Sequence, residues 1–205
     1  AMKKPLKTIF GPVPSRRFGR SLGIDLTPLK TCSHNCIYCQ LGETTTLTTQ
    51  RDEYVDTKLV LDELAEWLQS GTQADYLTLS GSGEPTLHSR FGEILQWVNE
   101  HCNIPSVLLT NGALFEDSSV RQSACHASIV KITLSAWDEA SYQRIHRPAA
   151  GLDFDSIIAG QQRFRGEFDG QIWLEVMVIK GINDRIEAIS RIKEIAALLQ
   201  PNTIQ

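Results

Sequence analysis

The chain has 205 residues, 41% of them hydrophobic and 21% charged, with a net charge of −4 and a pI of about 5.7. That length suits one domain, able to bury roughly 70–75% of its unfolded surface without staples. The acidic balance argues against broad, nonspecific nucleic-acid binding, and no apolar run approaches the ~18 residues of a membrane span. The expected partners therefore exclude a membrane, and the expected compartment is the cytoplasm. A local basic patch remains near the start, with Lys3, Lys4, Lys7, Arg16, Arg17 and Arg20.

Taken in order, residues 1–20 read as an N-terminal extension and 21–205 as a single core. "SLGIDL" (21–26) is a strand candidate, and "KLVLDELAEWLQSG" (58–71) is helical: Leu61, Leu64, Ala65 and Leu68 share a face, Asp56 or Thr57 can cap it, and Gly71 can end it. Strand "YLTLS" (76–80), helix 90–101, strand "SVLLT" (106–110), a shorter helix near 115–125 and strand "SIVKITLSA" (128–136) follow. Helices near 138–146 and 154–165 lead to strand "IWLEVMVI" (172–179). In the last helix (184–200), Ile189, Ile192, Ile195 and Leu199 line one face, and Pro201 blocks extension. "PNTIQ" (201–205) has the look of a sixth strand, cut at its start. Strands alternating with helices imply a parallel sheet with right-handed crossovers. The expected fold is α/β, a partial (β/α)6 TIM-like barrel.

The unusual residues fall at the carboxyl ends of these strands, the edge where parallel α/β folds place their chemistry. "KTCSHNCIYCQLG" (30–42) follows the first strand, "GSGEP" (81–85) the second and "NG" (111–112) the third; Ser135 ends the fourth, and Gly181 follows the fifth. Cys102 and Cys125 fall at the opposite edge. Five cysteines, three of them within eight residues, do not resemble a secreted disulfide framework; such clusters more often bind metal. Thiolates suit iron–sulfur clusters or zinc. A C-x3-C-x2-C set would leave one iron of a 4Fe–4S cluster open, whereas an electron carrier needs a fourth ligand. The competing reading is a zinc-stabilised binding module with Cys32, His34, Cys36 and Cys39 as ligands, although His34 is tightly spaced for that. His88, His101, His126 and His146 show no ligand spacing and read as structural or surface residues.

"CSHNCIYC" (32–39) resembles the signature of the radical S-adenosylmethionine superfamily. "LSGSGEPTL" (79–87) is similar to its glycine–glutamate motif and "VIKGIND" (178–184) to the motif ending its fifth strand; "LTNG" and "YQRIHRP" also fit. The opening "GPVPSRRFGRSLGIDLTPLKTC" resembles a subgroup of iron–sulfur oxidoreductases near the tRNA wyosine-base synthetases. The resemblance implies an oxidoreductase whose Cys32, Cys36 and Cys39 bind three irons of a 4Fe–4S cluster. The fourth iron would chelate S-adenosyl-L-methionine, whose reductive cleavage yields a 5′-deoxyadenosyl radical that abstracts hydrogen from a substrate, a tRNA base being one implied class.

It further implies a flavodoxin- or ferredoxin-type one-electron reductant as partner. Tyr38 is expected near the adenine, Ser82 and Gly83 to bind through backbone atoms, and Glu84 to offer a carboxylate to the cofactor's ammonium. Ser135 matches a position that touches the ribose, with a strand-end hydroxyl bonded to backbone as the alternative. Arg147 is expected to reach the cofactor carboxylate, with a surface ion pair as its alternative. Asn111, Gly181 and Asn183 would shape the same rim. Arg16, Arg17 and Arg20 would either fold over an end of the barrel and bind an anion or form internal salt bridges.

Overall fold

The computed structural model describes residues 8–205; Lys3, Lys4 and Lys7 of the basic patch lie outside them. The chain opens with β1 (Ile9–Ser15), which turns back antiparallel onto β2 (Gly19–Ile24). β3 (Thr31–Cys32) and β4 (Thr46–Leu47) form a separate two-stranded parallel ladder. Then come α1 (Thr57–Gln69), β5 (Tyr76–Leu79), a 3-10 turn at Pro85–Leu87, α2 (Phe91–His101), β6 (Ser106–Thr110), α3 (Ser118–Ala124) and β7 (Ile129–Thr133). The chain continues through α4 (Glu139–His146), α5 (Phe154–Glu167), β8 (Gln171–Glu175), α6 (Ile186–Leu199) and β9 (Thr203–Ile204).

The main sheet runs β1-β2-β5-β6-β7-β8-β9, and every pair after β1·β2 is parallel. Each new parallel strand adds beside the previous one, with no reversal of order. A doubly wound sheet would reverse; this succession is that of a barrel. Alternate side chains (Leu22, Leu77, Leu108, Val130, Ile172) join the main core with helix residues such as Val60, Leu64, Phe91 and Phe164. The other face carries Tyr76, Val107, Ile129 and Trp173, and Phe18 from the β1–β2 turn packs onto it. Phe18 stacks on Trp173 of β8 at 5.1 Å and meets Tyr76 of β5 edge-on at 5.4 Å. A flat sheet would hold β5 and β8 ~14 Å apart, so one ring reaching both requires the sheet to curl. The barrel is not closed, since β1 and β9 do not pair.

The arginines of the hairpin resolve as internal pairs. Arg20 bonds Asp75, and Arg17 reaches across to Glu175, whose Oε1 also accepts from Lys131 Nζ at 2.7 Å. Arg16 is exposed.

Two expectations change in detail. The predicted strand 172–179 stops at Glu175: Val176 N–H still donates to Gln205 O, but the backbone groups beyond it are taken by side chains. Met177 N–H donates to Ser135 Oγ, while the Asn183 amide receives Ile179 N–H and donates to Met177 O. On α6 the buried stripe is Ala188, Ile192, Ala196 and Leu199, with Ile195 partly covered; Ile189 is 38% exposed.

Candidate metal and cofactor site

The cysteine loop is fastened on three sides. At its base, β3 and β4 pair, Thr46 N–H donates to Lys30 O, and Thr48 N–H to Cys32 O. Toward the second strand, Lys30 N–H donates to Ser82 O at 2.7 Å and Glu84 N–H to Thr31 O at 3.1 Å. On the third side the loop caps α4: Asn35 and Ile37 donate to the carbonyls of His146 and Ile145, groups that a helix end leaves unpaired. Arg147 then turns the chain with φ 43°, and Pro148 bridges His34.

Cys32, Cys36 and Cys39 are all free and half-buried in this loop. Each sulfur has a different polar side chain beside it. Lys30 Nζ lies 3.2 Å from Cys39 Sγ, His146 Nδ1 3.2 Å from Cys36 Sγ, and Asn111 Nδ2 3.7 Å from Cys32 Sγ. Burial pushes the Cys32 and Cys36 thiols up to about 12, so a thiolate here needs a cation on the sulfur itself. Burial also holds His34 well below the usual histidine range and brings His146 down to about 4, so both rings are neutral.

Among the described residues, the group of ligand atoms lying all within 4.8 Å of one another is His34, Cys36 and His146. The three sulfurs do not form such a group, whereas thiolates on one tetrahedral zinc lie ~3.8 Å apart. His34 Nε2 is engaged with the Tyr142 hydroxyl at 2.6 Å. The predicted Cys32–His34–Cys36–Cys39 zinc tetrahedron is therefore not assembled. Three soft, free sulfurs in one half-buried loop are a donor set that fits a multi-iron cluster, with one iron per cysteine. Cys102 and Cys125 end α2 and α3 at the far edge, bonding Val98 O and Glu167 O instead.

The other rim residues fall into place around the loop. Asn111 is central: its N–H donates to Glu84 Oε2 at 2.8 Å and its amide reaches Ser33 Oγ at 2.9 Å. Glu84 is 3% exposed, and its carboxylate accepts from Thr86 N–H, Thr86 Oγ1, Thr110 Oγ1 and Asn111 N–H. The expectation that this carboxylate meets an ammonium group finds it committed to four protein donors. Burial pushes the Glu84 carboxyl up against their pull. Ser82 holds Asp25 through both N–H and Oγ. A Cβ on Gly83 would overlap the Thr31 carbonyl oxygen and come 2.7 Å from Thr27 Oγ1, so glycine is required for the two loops to touch.

Ser135 Oγ accepts from Met177 N–H, and Asn183 Nδ2 donates to Ser135 O at 2.9 Å, which matches the strand-end reading of that serine. The Tyr38 ring lies edge-on to His146 at 5.8 Å, and its buried hydroxyl has no hydrogen-bond partner. Arg147 is exposed at the end of α4, and Gly181, with φ 75°, turns the exposed loop after β8. His146 and Lys30 are site residues that sequence reasoning missed; the signals available were the place of His146 within "YQRIHRP" and of Lys30 two residues before Cys32.

The family model of the Radical SAM superfamily matches residues 26–192. A UPF0026 protein of Synechocystis sp. is 38% identical over 205 residues, which cover 100% of this chain and 76% of that protein. A protein of Brachyspira hyodysenteriae named GTPase Obg is also 38% identical, over 99% of this chain but 30% of its own length. The solved structure of TYW1 with a lysine–pyruvate adduct bound superposes with a TM-score of 0.62 at 19% identity, covering 88% of this chain and 63% of that one. At that identity the likeness is one of fold.

Proposed function

Because this chain belongs to the radical SAM superfamily of enzymes, we propose that it holds a 4Fe–4S cluster on Cys32, Cys36 and Cys39 and binds S-adenosyl-L-methionine at the position these cysteines leave open. The observation that carries this reading is one fastened loop that gathers three free, half-buried cysteines, while Cys102 and Cys125 bond backbone carbonyls at the far edge. When bound and reduced, such a cluster supplies one electron for reductive cleavage of S-adenosyl-L-methionine to a hydrogen-abstracting radical.

The chain's own residues hold and orient. The Ser82–Glu84 edge braces the cysteine loop through Ser82 O and Glu84 N–H, and Glu84 braces Asn111 rather than facing a ligand. Tyr38 offers a half-buried ring and an unpaired hydroxyl at the same rim. Arg147, exposed just beyond the loop, supplies a guanidinium suited to a carboxylate. Ser135 and Gly181 shape the far side. A flavodoxin- or ferredoxin-type protein is the matching electron donor. A tRNA base is the substrate class implied by the opening residues, with Arg16, among the described residues, an exposed cation there outside the ion pairs of Arg17 and Arg20.

The test is anaerobic reconstitution with iron and sulfide, reduction, and addition of S-adenosyl-L-methionine. The expected result is an iron–sulfur spectrum that changes on adding the cofactor, with 5′-deoxyadenosine formed. A loaded cluster that ignores the cofactor would leave an electron carrier; colourless protein with stoichiometric zinc would leave a binding module.

A further inference from the structure

We propose that Lys30, His146 and Asn111 set the reduction potential of the cluster, each by donating a hydrogen bond to a different cysteine sulfur. This inference rests on the cluster proposed above. Its basis is the one-to-one pairing: Lys30 to Cys39 at 3.2 Å, His146 to Cys36 at 3.2 Å and Asn111 to Cys32 at 3.7 Å. The three donors come from three places in the chain, the loop itself, the end of α4 and the end of β6, so no single local turn accounts for the pattern.

Each donor is held for the purpose. Lys30 is 5% exposed and sits at φ 62°, a conformation costly for a side-chain-bearing residue and fixed here by the bonds of its N–H to Ser82 O and its C=O to Thr46 N–H. Its Nζ also bonds Gly42 O, which aims the ammonium back into the loop. His146 is 3% exposed, and its ring is packed among His34, Tyr38 and Tyr142. It donates to the Cys36 sulfur when Nδ1 carries the ring proton. Asn111 Nδ2 divides its reach between Cys32 Sγ and Ser33 Oγ, and its Oδ1 accepts from Ala113 N–H.

Donors to cluster sulfurs raise the potential, because the reduced cluster carries one more negative charge and gains more from them. The couple is a one-electron addition from an external reductant, with no proton or bond change required of these residues. Removing a donor therefore makes the cluster harder to reduce. The order follows donor type and distance: Lys30 brings an ammonium, His146 an imidazole N–H at equal distance, and Asn111 is farther and shared. Losing Lys30 should lower the reduced-to-oxidised ratio at a fixed potential about tenfold, ~59 mV for one electron. Losing His146 should lower it several-fold, and losing Asn111 least.

The experiment is a redox titration of the reconstituted protein, followed by electron paramagnetic resonance, on the unaltered chain and on Lys30→Met, Lys30→Gln, His146→Leu and His146→Asn. Support consists of lower potentials for Lys30→Met and His146→Leu, an intermediate one for Lys30→Gln, and near-recovery in His146→Asn, whose amide can replace Nδ1. Should Lys30→Met or His146→Leu fail to load iron, the donor-keeping Lys30→Gln and His146→Asn decide: the first must shift and the second must not. Loaded variants with unchanged potentials, or His146→Asn shifted as far as His146→Leu, overturn the tuning role while leaving the cluster reading intact. An unaltered chain that builds no cluster overturns both.

Discussion

Replacing Gly83 with alanine tests whether the second-strand rim and the cysteine loop are one rigid unit. The new methyl would overlap the Thr31 carbonyl oxygen, which is backbone and cannot swing aside. Parting the two backbones by about 1 Å stretches the 3.1 Å bond from Glu84 N–H to Thr31 O past hydrogen-bonding distance. The neighbouring bond from Lys30 N–H to Ser82 O is lost with it. Two backbone hydrogen bonds at ~1 kcal/mol each, with overpacking strain of ~1 kcal/mol or more, come to about 3 kcal/mol. For a chain of this size that lowers Tm by ~6–12 °C. The assay is thermal unfolding of the iron-free protein by circular dichroism, paired with iron bound per chain after reconstitution. Both should fall. A variant that melts within ~2 °C of the unaltered chain and binds as much iron refutes the claim that the two loops are welded through this glycine.

Two further outcomes follow from the fold. Phe18→Ala removes a ring that is 4% exposed and stacked on Trp173, at a cost of about 3 kcal/mol, so Tm should drop by roughly 10 °C. Iron loading of the folded variant should stay unchanged, since Phe18 lies toward the amino ends of the strands; coincident loss of iron would contradict that placement. His88 is fully buried, with Nε2 donating to Val55 O at 2.7 Å and Nδ1 accepting from Arg90 N–H at 3.2 Å, and burial lowers its pKa. A proton on Nδ1 would break the second bond. Its stability contribution is thus present above the unfolded histidine value of ~6.5 and is lost as pH falls through the folded value, at up to ~1.4 kcal/mol per unit. Melting curves between pH 8 and 5 should show that loss in the unaltered chain and a flatter profile in His88→Gln; parallel profiles would refute it.

Much of this architecture was legible because the parallel strands are short apolar runs between clear helical stripes. The misses have physical reasons. β1 lies within the expected N-terminal extension 1–20 and carries Pro12 and Pro14, which hide a strand from a pattern search; an edge strand needs only one side of its ladder and tolerates them. The over-long strand at 172–179 continues an apolar run, but Ser135 and Asn183 compete for its backbone groups from far along the chain. On α6 two apolar stripes were available, and the sheet took the one with Ala188 and Ala196, whose small side chains let the helix come close. The three cysteines were visible because their spacing is local. His146 was not, because only the docking of α4 brings it to Cys36, across 110 residues of sequence.

That separation also sets a clock. At ~5–20 residues per second of synthesis, Cys36 precedes His146 out of the ribosome by roughly 5–20 s. During that interval the three thiols lack their α4 wall, and Cys32 and Cys36 lack the burial that suppresses their ionisation, so they emerge as oxidisable cysteines. The loop reaches its fastened shape only after residue 148 is made. On the proposed function, iron delivery is thereby ordered after residue 148 is made, and the thiols of the nascent chain stay open to oxidation until then.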